Sequence, residues 1–242
     1  IQTFQKLEKV ISRYLGHKPN IAPSYGYEAP SDDPEVLLQL LEEAINECHY
    51  TGKIGFALDC ASSEMYDCQN QTYLLKGKQV NADELIFYTK ELTEKYNFVF
   101  IEDLLDEEDW ISFAKAHREI TRTNLIGDDF IVTNIDRLKK AYESNAIDGF
   151  ILKPNQVGTI TEALKAYDYG LQHGLLAIPS GRAGGVIGDV VMDLAVGLQV
   201  GFIKNGAPRS GERIDKLNFL MRVCDLTPEC RLADISPILK FQ

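Results

Sequence analysis

The feature that most limits how this chain can fold is a short apolar run, rich in Val, Ile and Phe, that closes on a charged residue and then recurs. IGFALD ends at Asp59, FVFIED carries Glu102, NLIGDD reaches Asp128, GFILK ends at Lys153 and FIK at Lys204. Runs of this kind read as buried strands, and each is followed by an amphipathic helical segment. From Glu102 onward the strand ends return about every 25 residues, a typical length for one βα repeat. Parallel α/β barrels take their reacting groups from the C-terminal ends of different strands. Three carboxylates and two lysines, one per strand, are therefore expected to converge at one mouth. A lone Asp or Lys at a strand end often caps a helix or pairs locally, but five in register favour a shared site.

Periodicity fills in the rest. Phe4, Leu7, Val10, Ile11 and Leu15 have helical spacing, so the chain is expected to begin in a helix over 2–15. A loop from Pro19 to Pro34 follows, and Asp33-Pro34 is an N-cap and first-turn pair for a helix over 35–48. After the strand 54–59 an irregular stretch with Tyr66, Asn70 and Gly77 leaves room for a hairpin, and Asn81 is expected to cap a helix running to about Tyr96. The acidic run from Asp106 to Trp110 is placed in the first turn of a helix, where the macrodipole favours it. Further helices are expected over 135–143, 161–173, 187–200 and 212–223, with strands over 175–179 and 201–204. The tail from Thr227 reads as a surface segment. That makes six strands where a closed barrel needs eight, on a chain with no linker or low-complexity break.

Composition excludes some function classes. The chain has 242 residues, 45% hydrophobic and 25% charged, as in an ordinary globular domain with one sizeable core. A net charge of −11 argues against a nucleic-acid or anionic-membrane surface. No apolar run is long enough to span a bilayer, and no signal peptide is visible. Five cysteines without CxxC spacing read as free thiols of a reducing cytosol.

LDCASSEMY, FIEDLLDEEDW, GDDFIVTN, ILKPNQVGTITEAL and IKNGAPRSGERIDKLNFLMRV resemble enolase, the lyase that interconverts 2-phosphoglycerate and phosphoenolpyruvate. The resemblance runs along nearly the whole chain. It implies an enolase-type, TIM-like α/β barrel, the C-terminal domain of that family, with two barrel strands and an N-terminal domain lying upstream of the matched segment. Residues 1–242 are then a single, partial barrel domain.

The resemblance also implies roles. Asp59, Glu102 and Asp128 match the carboxylates that hold the family's catalytic Mg2+, and hard oxygen ligands suit that ion. Enolase-superfamily sites in general set a Lys or His base beside one or two Mg2+ ions that stabilise the ene-diolate, so that pairing comes with the resemblance. Lys153 matches the general base that takes the C2 proton, and Lys204 the lysine that contacts the substrate carboxylate. Asp103 and Asp129 are read as supporting or capping partners of the metal ligands.

Two places depart from the family pattern. Enolases carry Ser-His-Arg-Ser-Gly-Glu after the strand at 175–179, and this chain has Ser180-Gly181-Arg182-Ala183-Gly184-Gly185. Arg182 remains to clamp a phosphate with its guanidinium fork. Gly181 stands at the catalytic histidine position and Ala183 at the phosphate-binding serine. Tyr25 takes the place of the glutamate that assists hydroxide departure, with Glu28 three positions on.

The resulting expectation is a Mg2+-dependent enolase-like protein acting on 2-phosphoglycerate and phosphoenolpyruvate, with impaired turnover. The alternative is a pseudoenzyme kept as a component of a larger cytoskeletal or ciliary assembly, as in divergent enolase-like proteins of flagella. A cytoplasmic setting, a homo- or hetero-oligomer, and no nucleic-acid or membrane partner complete the reading.

Overall fold

A computed structural model describes residues 1–241. In chain order the elements are α1 (Gln2–Leu15), α2 (Pro34–Glu47), β1 (Phe56–Asp59), β2 (Tyr66–Asp67), β3 (Thr72–Leu75), β4 (Lys78–Val80) and α3 (Ala82–Lys95). They continue with β5 (Phe98–Glu102), α4 (Trp110–Glu119), β6 (Asn124–Gly127), α5 (Ile135–Glu143), β7 (Gly149–Leu152), α6 (Pro154–Val157) and α7 (Ile160–Gln172). The last are β8 (Leu176–Pro179), α8 (Val191–Gly197) and α9 (Gly211–Leu226). These gather into two compact units. One holds residues 55–180, 197–203 and 233–241, and the other holds 1–54, 181–196 and 204–232.

The first of these contains a parallel sheet in the order β1-β5-β6-β7-β8. Neighbours in space follow neighbours in sequence with no reversal, the winding of a barrel wall rather than of a doubly wound sheet. The sheet is half of a barrel. Its central strands are buried along their whole length, as parallel strands covered on both faces must be. Val99, Phe100, Ile126, Ile151 and Ile178 form one core cluster. Elsewhere in this unit Phe113 stacks on Phe130 with ring centroids 3.9 Å apart. α3 starts where its sequence says it should, through a capping box between Asn81 and Glu84.

Several expectations are corrected here. Residues 201–204 form no strand, and only Lys204 takes a bridge position. Phe202 instead packs on the sheet core, a better use of one large ring in a segment flanked by Gly201 and Gly206. Asp106 to Asp109 precede α4 rather than fill its first turn. Asp109 is the N-cap, accepting the Ser112 N–H at 3.0 Å, because an Asx side chain satisfies an orphan donor best from outside the helix. The stretch with room for a hairpin is a three-stranded antiparallel meander, β2-β3-β4. α8 is shorter than expected, in a stretch bounded by Gly188 and Gly197. The tail is only partly a surface segment: Leu239 and Phe241 pack on the sheet core. Asn124 Nδ2 donates to the Ile238 carbonyl at 3.0 Å, and Lys240 pairs with Asp148.

The other unit is built on α1 against α2, with Val10, Ile11, Leu40 and Ala44 between them. Asp33 accepts the Glu35 N–H at 3.0 Å and Pro34 opens α2, as the sequence requires. Arg13 reaches Glu43 and Glu47 across the pair. Among the described residues all five cysteines are free, and no helix is long and apolar enough to cross a membrane.

Gly149 opens β7 at a backbone crossing. A Cβ there would stand 2.4 Å from the Leu176 carbonyl oxygen and 2.6 Å from Leu176 Cβ. Gly149→Ala is expected to destabilise the protein by about 1–3 kcal/mol, measured as a lower urea midpoint with unchanged slope.

Candidate active site

The strand ends carry the charged groups of interest. Asp59 and Glu102 are register partners at the last positions of β1 and β5. Asp128 follows the last residue of β6, and Lys153 the last residue of β7. All four lie at the C-terminal edge of the half-barrel sheet. Glu102, Asp128 and Lys153 are buried.

The turns after these strands are held by polar contacts that link one strand end to the next. Asp103 takes a left-handed conformation, φ 44°. Its two carboxylate oxygens accept the backbone N–H groups of Asp128 and Asp129, each at 2.8 Å. Burial pushes the Asp103 carboxyl up to about 7; the two N–H donors oppose that rise and the neighbouring Asp128 and Asp129 charges add to it. The turn then runs through Val132 and Thr133, at φ 47° and 55°. These are conformations that β-branched residues rarely adopt. Thr133 Oγ1 lies 3.1 Å from the Ile151 carbonyl and accepts the Lys153 N–H at 2.9 Å.

These contacts bring Lys153 to Asp128. The ammonium pairs with Oδ2 of Asp128, and Gln156 on α6 donates to Oδ1 at 2.8 Å. Sequence reasoning missed Gln156 and Thr133. The only signal for them is a polar residue just after the Lys-Pro pair and a Thr in the strand-to-helix turn. Asp103 supports the Asp128 turn, the kind of role the sequence suggested for it, and Asp129 is exposed.

The remaining expected residues belong to the other unit. Lys204 is half-buried, and Arg182 is exposed on a glycine-rich loop, its carbonyl accepting the Gly185 N–H at 3.2 Å. Tyr25 is in a left-handed turn, φ 65°, with the Arg213 guanidinium 5.5 Å from its ring centre. Glu28 is occupied by Asn20, whose side-chain amide donates to it at 2.8 Å.

The donor chemistry at the sheet edge fits a hard divalent cation. Ligand atoms of Asp103, Asp128 and Asp129 all lie within 4.8 Å of one another, and carboxylate oxygen is what Mg2+ selects. Asp103 already spends both oxygens on backbone donors, which makes it a turn support. Asp128, with an ammonium drawn onto it, is the member that faces positive charge. Asp59 and Glu102, expected to share the ion with Asp128, stand on the same edge but outside that cluster.

A half-barrel with acids and a buried lysine on its strand ends defines a barrel-type α/β domain. Comparison with known proteins narrows this. The family model for the enolase C-terminal TIM barrel domain matches residues 1–233. The enolase of Methanococcus aeolicus is 39% identical over 223 residues, covering 92% of this chain and 52% of its own. The enolase of Methanopyrus kandleri is 41% identical over 227 residues, covering 92% and 53%. That of Sulfolobus acidocaldarius is 37% identical over 224, with the same coverage. The chain belongs to the enolase family, and it spans about half the length of these relatives.

Asp103→Ala is expected to cost about 2 kcal/mol, because two turn N–H groups lose their acceptor. Asp103→Asn is expected to cost less, since Asn tolerates the left-handed region and keeps one acceptor. Chemical denaturation of both variants checks the order.

Proposed function

We propose that this chain is the barrel portion of an enolase-like protein that binds 2-phosphoglycerate or phosphoenolpyruvate and can abstract the C2 proton, but dehydrates poorly. The observation that carries the reading is the buried Lys153–Asp128 pair at neighbouring strand ends. Lys153 is buried at the strand end next to Asp128 and is the residue assigned to take the C2 proton. Asp59, Glu102 and Asp128 are the residues that would hold Mg2+, which supplies positive charge opposite an enolate.

Lys204 is assigned to the substrate carboxylate and Arg182 to the phosphate, where a planar fork suits two oxygens. The weak half of the reaction is hydroxide departure. Gly181 and Ala183 offer neither a proton nor a hydroxyl, and a phenol at Tyr25 donates less readily than a carboxylic acid. Loss of one general acid costs about 10²–10⁴-fold in rate. A cytoplasmic setting and an oligomeric assembly with a small phosphorylated acid as ligand complete this proposal.

A second reading, a non-catalytic member of a cytoskeletal or ciliary assembly, is favoured by one observation. The side chain of Lys216 occupies the space beside Gly181.

Deuterium exchange into C2 of 2-phosphoglycerate, followed by NMR beside the absorbance of phosphoenolpyruvate, separates the outcomes. The expected result is exchange that Lys153→Ala abolishes, with little phosphoenolpyruvate. Robust, Lys153-dependent phosphoenolpyruvate formation would show that the departures at 25, 181 and 183 do not matter. Absence of exchange would favour the assembly reading.

For the metal, calorimetry should register Mg2+ binding that Asp128→Ala weakens. Equal heats from both proteins would remove the carboxylates as a metal site.

A further inference from the structure

Lys216 on α9 is 4% exposed, and its ammonium lies 2.6 Å from Oδ2 of Asp189. Its methylene end covers Gly181. A Cβ on that glycine would stand 3.1 Å from Lys216 Cε, 3.4 Å from Nζ and 3.9 Å from Asp189 Oδ2. A Cβ on Gly185 would lie 3.6 Å from the same Asp189 oxygen. Asp189 also accepts the Val191 N–H at 3.0 Å, and the Gly188 N–H is 3.3 Å from Asp215 of α9. The loop 181–190 is thus tied to α9 at 188 and 189, and at 181 it lies against the Lys216 side chain. Arg182, Ala183 and Gly184 are exposed.

We propose that Lys216 is a positioning residue for Arg182: with Asp189 it fixes the loop that carries the arginine, in the volume a side chain at 181 would need. Lys216 does not touch the ligand. A buried ammonium and its carboxylate partner each make the other tolerable, so losing either releases the loop. Glu212, one turn earlier on α9, offers the ammonium its carbonyl at 3.4 Å, and its carboxylate also feels the lysine's charge. The inference rests on the assignment of Arg182 to the substrate phosphate.

The test uses the full chain, with amide exchange over 182–188 and calorimetry with 2-phosphoglycerate. Lys216→Met is expected to speed loop exchange about tenfold and to weaken 2-phosphoglycerate about tenfold. Asp189→Asn, nearly isosteric, should do the same and serves if Lys216→Met folds poorly. Arg182→Ala should weaken binding and leave loop exchange unchanged. Gly181→Ala should lower the melting temperature in the parent but not beside Lys216→Ala.

Unchanged loop exchange in Lys216→Met and Asp189→Asn overturns the inference. So does faster exchange with undiminished affinity while Arg182→Ala loses affinity. If Arg182→Ala binds like the parent, or the parent does not bind, the phosphate assignment itself fails and the inference falls with it.

Discussion

The carboxylate of Asp103 is the contact on which the charged edge of the sheet depends. Parallel strands leave the N–H groups of each following turn without ladder partners, and buried donors must find acceptors. Asp103, turned inward by its left-handed backbone, supplies two for the turn after β6. That fixes Asp128 one position beyond the strand. Asp128 then collects Lys153 from the end of β7 and Gln156 from α6, so three neighbouring strand ends are joined by one polar chain. Burial raises the Asp103 carboxyl to about 7, and the Lys153–Asp128 ion pair sits at the next strand ends.

The two ends of the sheet use polar groups differently. At the N-terminal edge Asp148 accepts the Leu125 N–H at 2.8 Å and holds Lys240, while Asn124 holds Ile238. Burial pushes the Asp148 carboxyl up, yet His117, Lys240 and the Leu125 donor leave it below the usual range. These groups tie the tail to the sheet and are paired with one another. At the C-terminal edge the backbone is strained at Val132 and Thr133, and the charge of Lys153 rests on the Asp128 carboxylate. Backbone strain is concentrated at one end, and at the other the polar groups pair to hold the tail.

Much of this was legible because burial imposes a period. Strands β5 to β7 are apolar runs that end at or beside a charged residue, and α1, α5 and the cap of α2 follow residue by residue from spacing and Asx chemistry. The supports were not legible. Thr133 and Gln156 act through a turn with two positive φ angles, which no propensity rule assigns to β-branched residues. FIK resembled the other strand ends, but its one ring found the existing core, and the polar run before α4 served as turn and cap. Local pattern states what can be buried. It does not state which partner a side chain will meet.

Position 181 shows why a departure from a family pattern is not simply a missing group. A Cβ at 181 would stand 3.1 Å from Lys216 Cε, so the lysine side chain must give a little to admit one. A larger side chain would push the ammonium away from Asp189, and both charges would then lose their partner in a poorly hydrated place. The two positions are therefore coupled: a histidine at 181 and the Lys216–Asp189 pair compete for one volume. On the assignment proposed for Arg182, returning the histidine by itself would loosen the loop that carries that arginine. A side chain at 181 is therefore a matter for the facing side of α9 as much as for the loop, because both border the same volume.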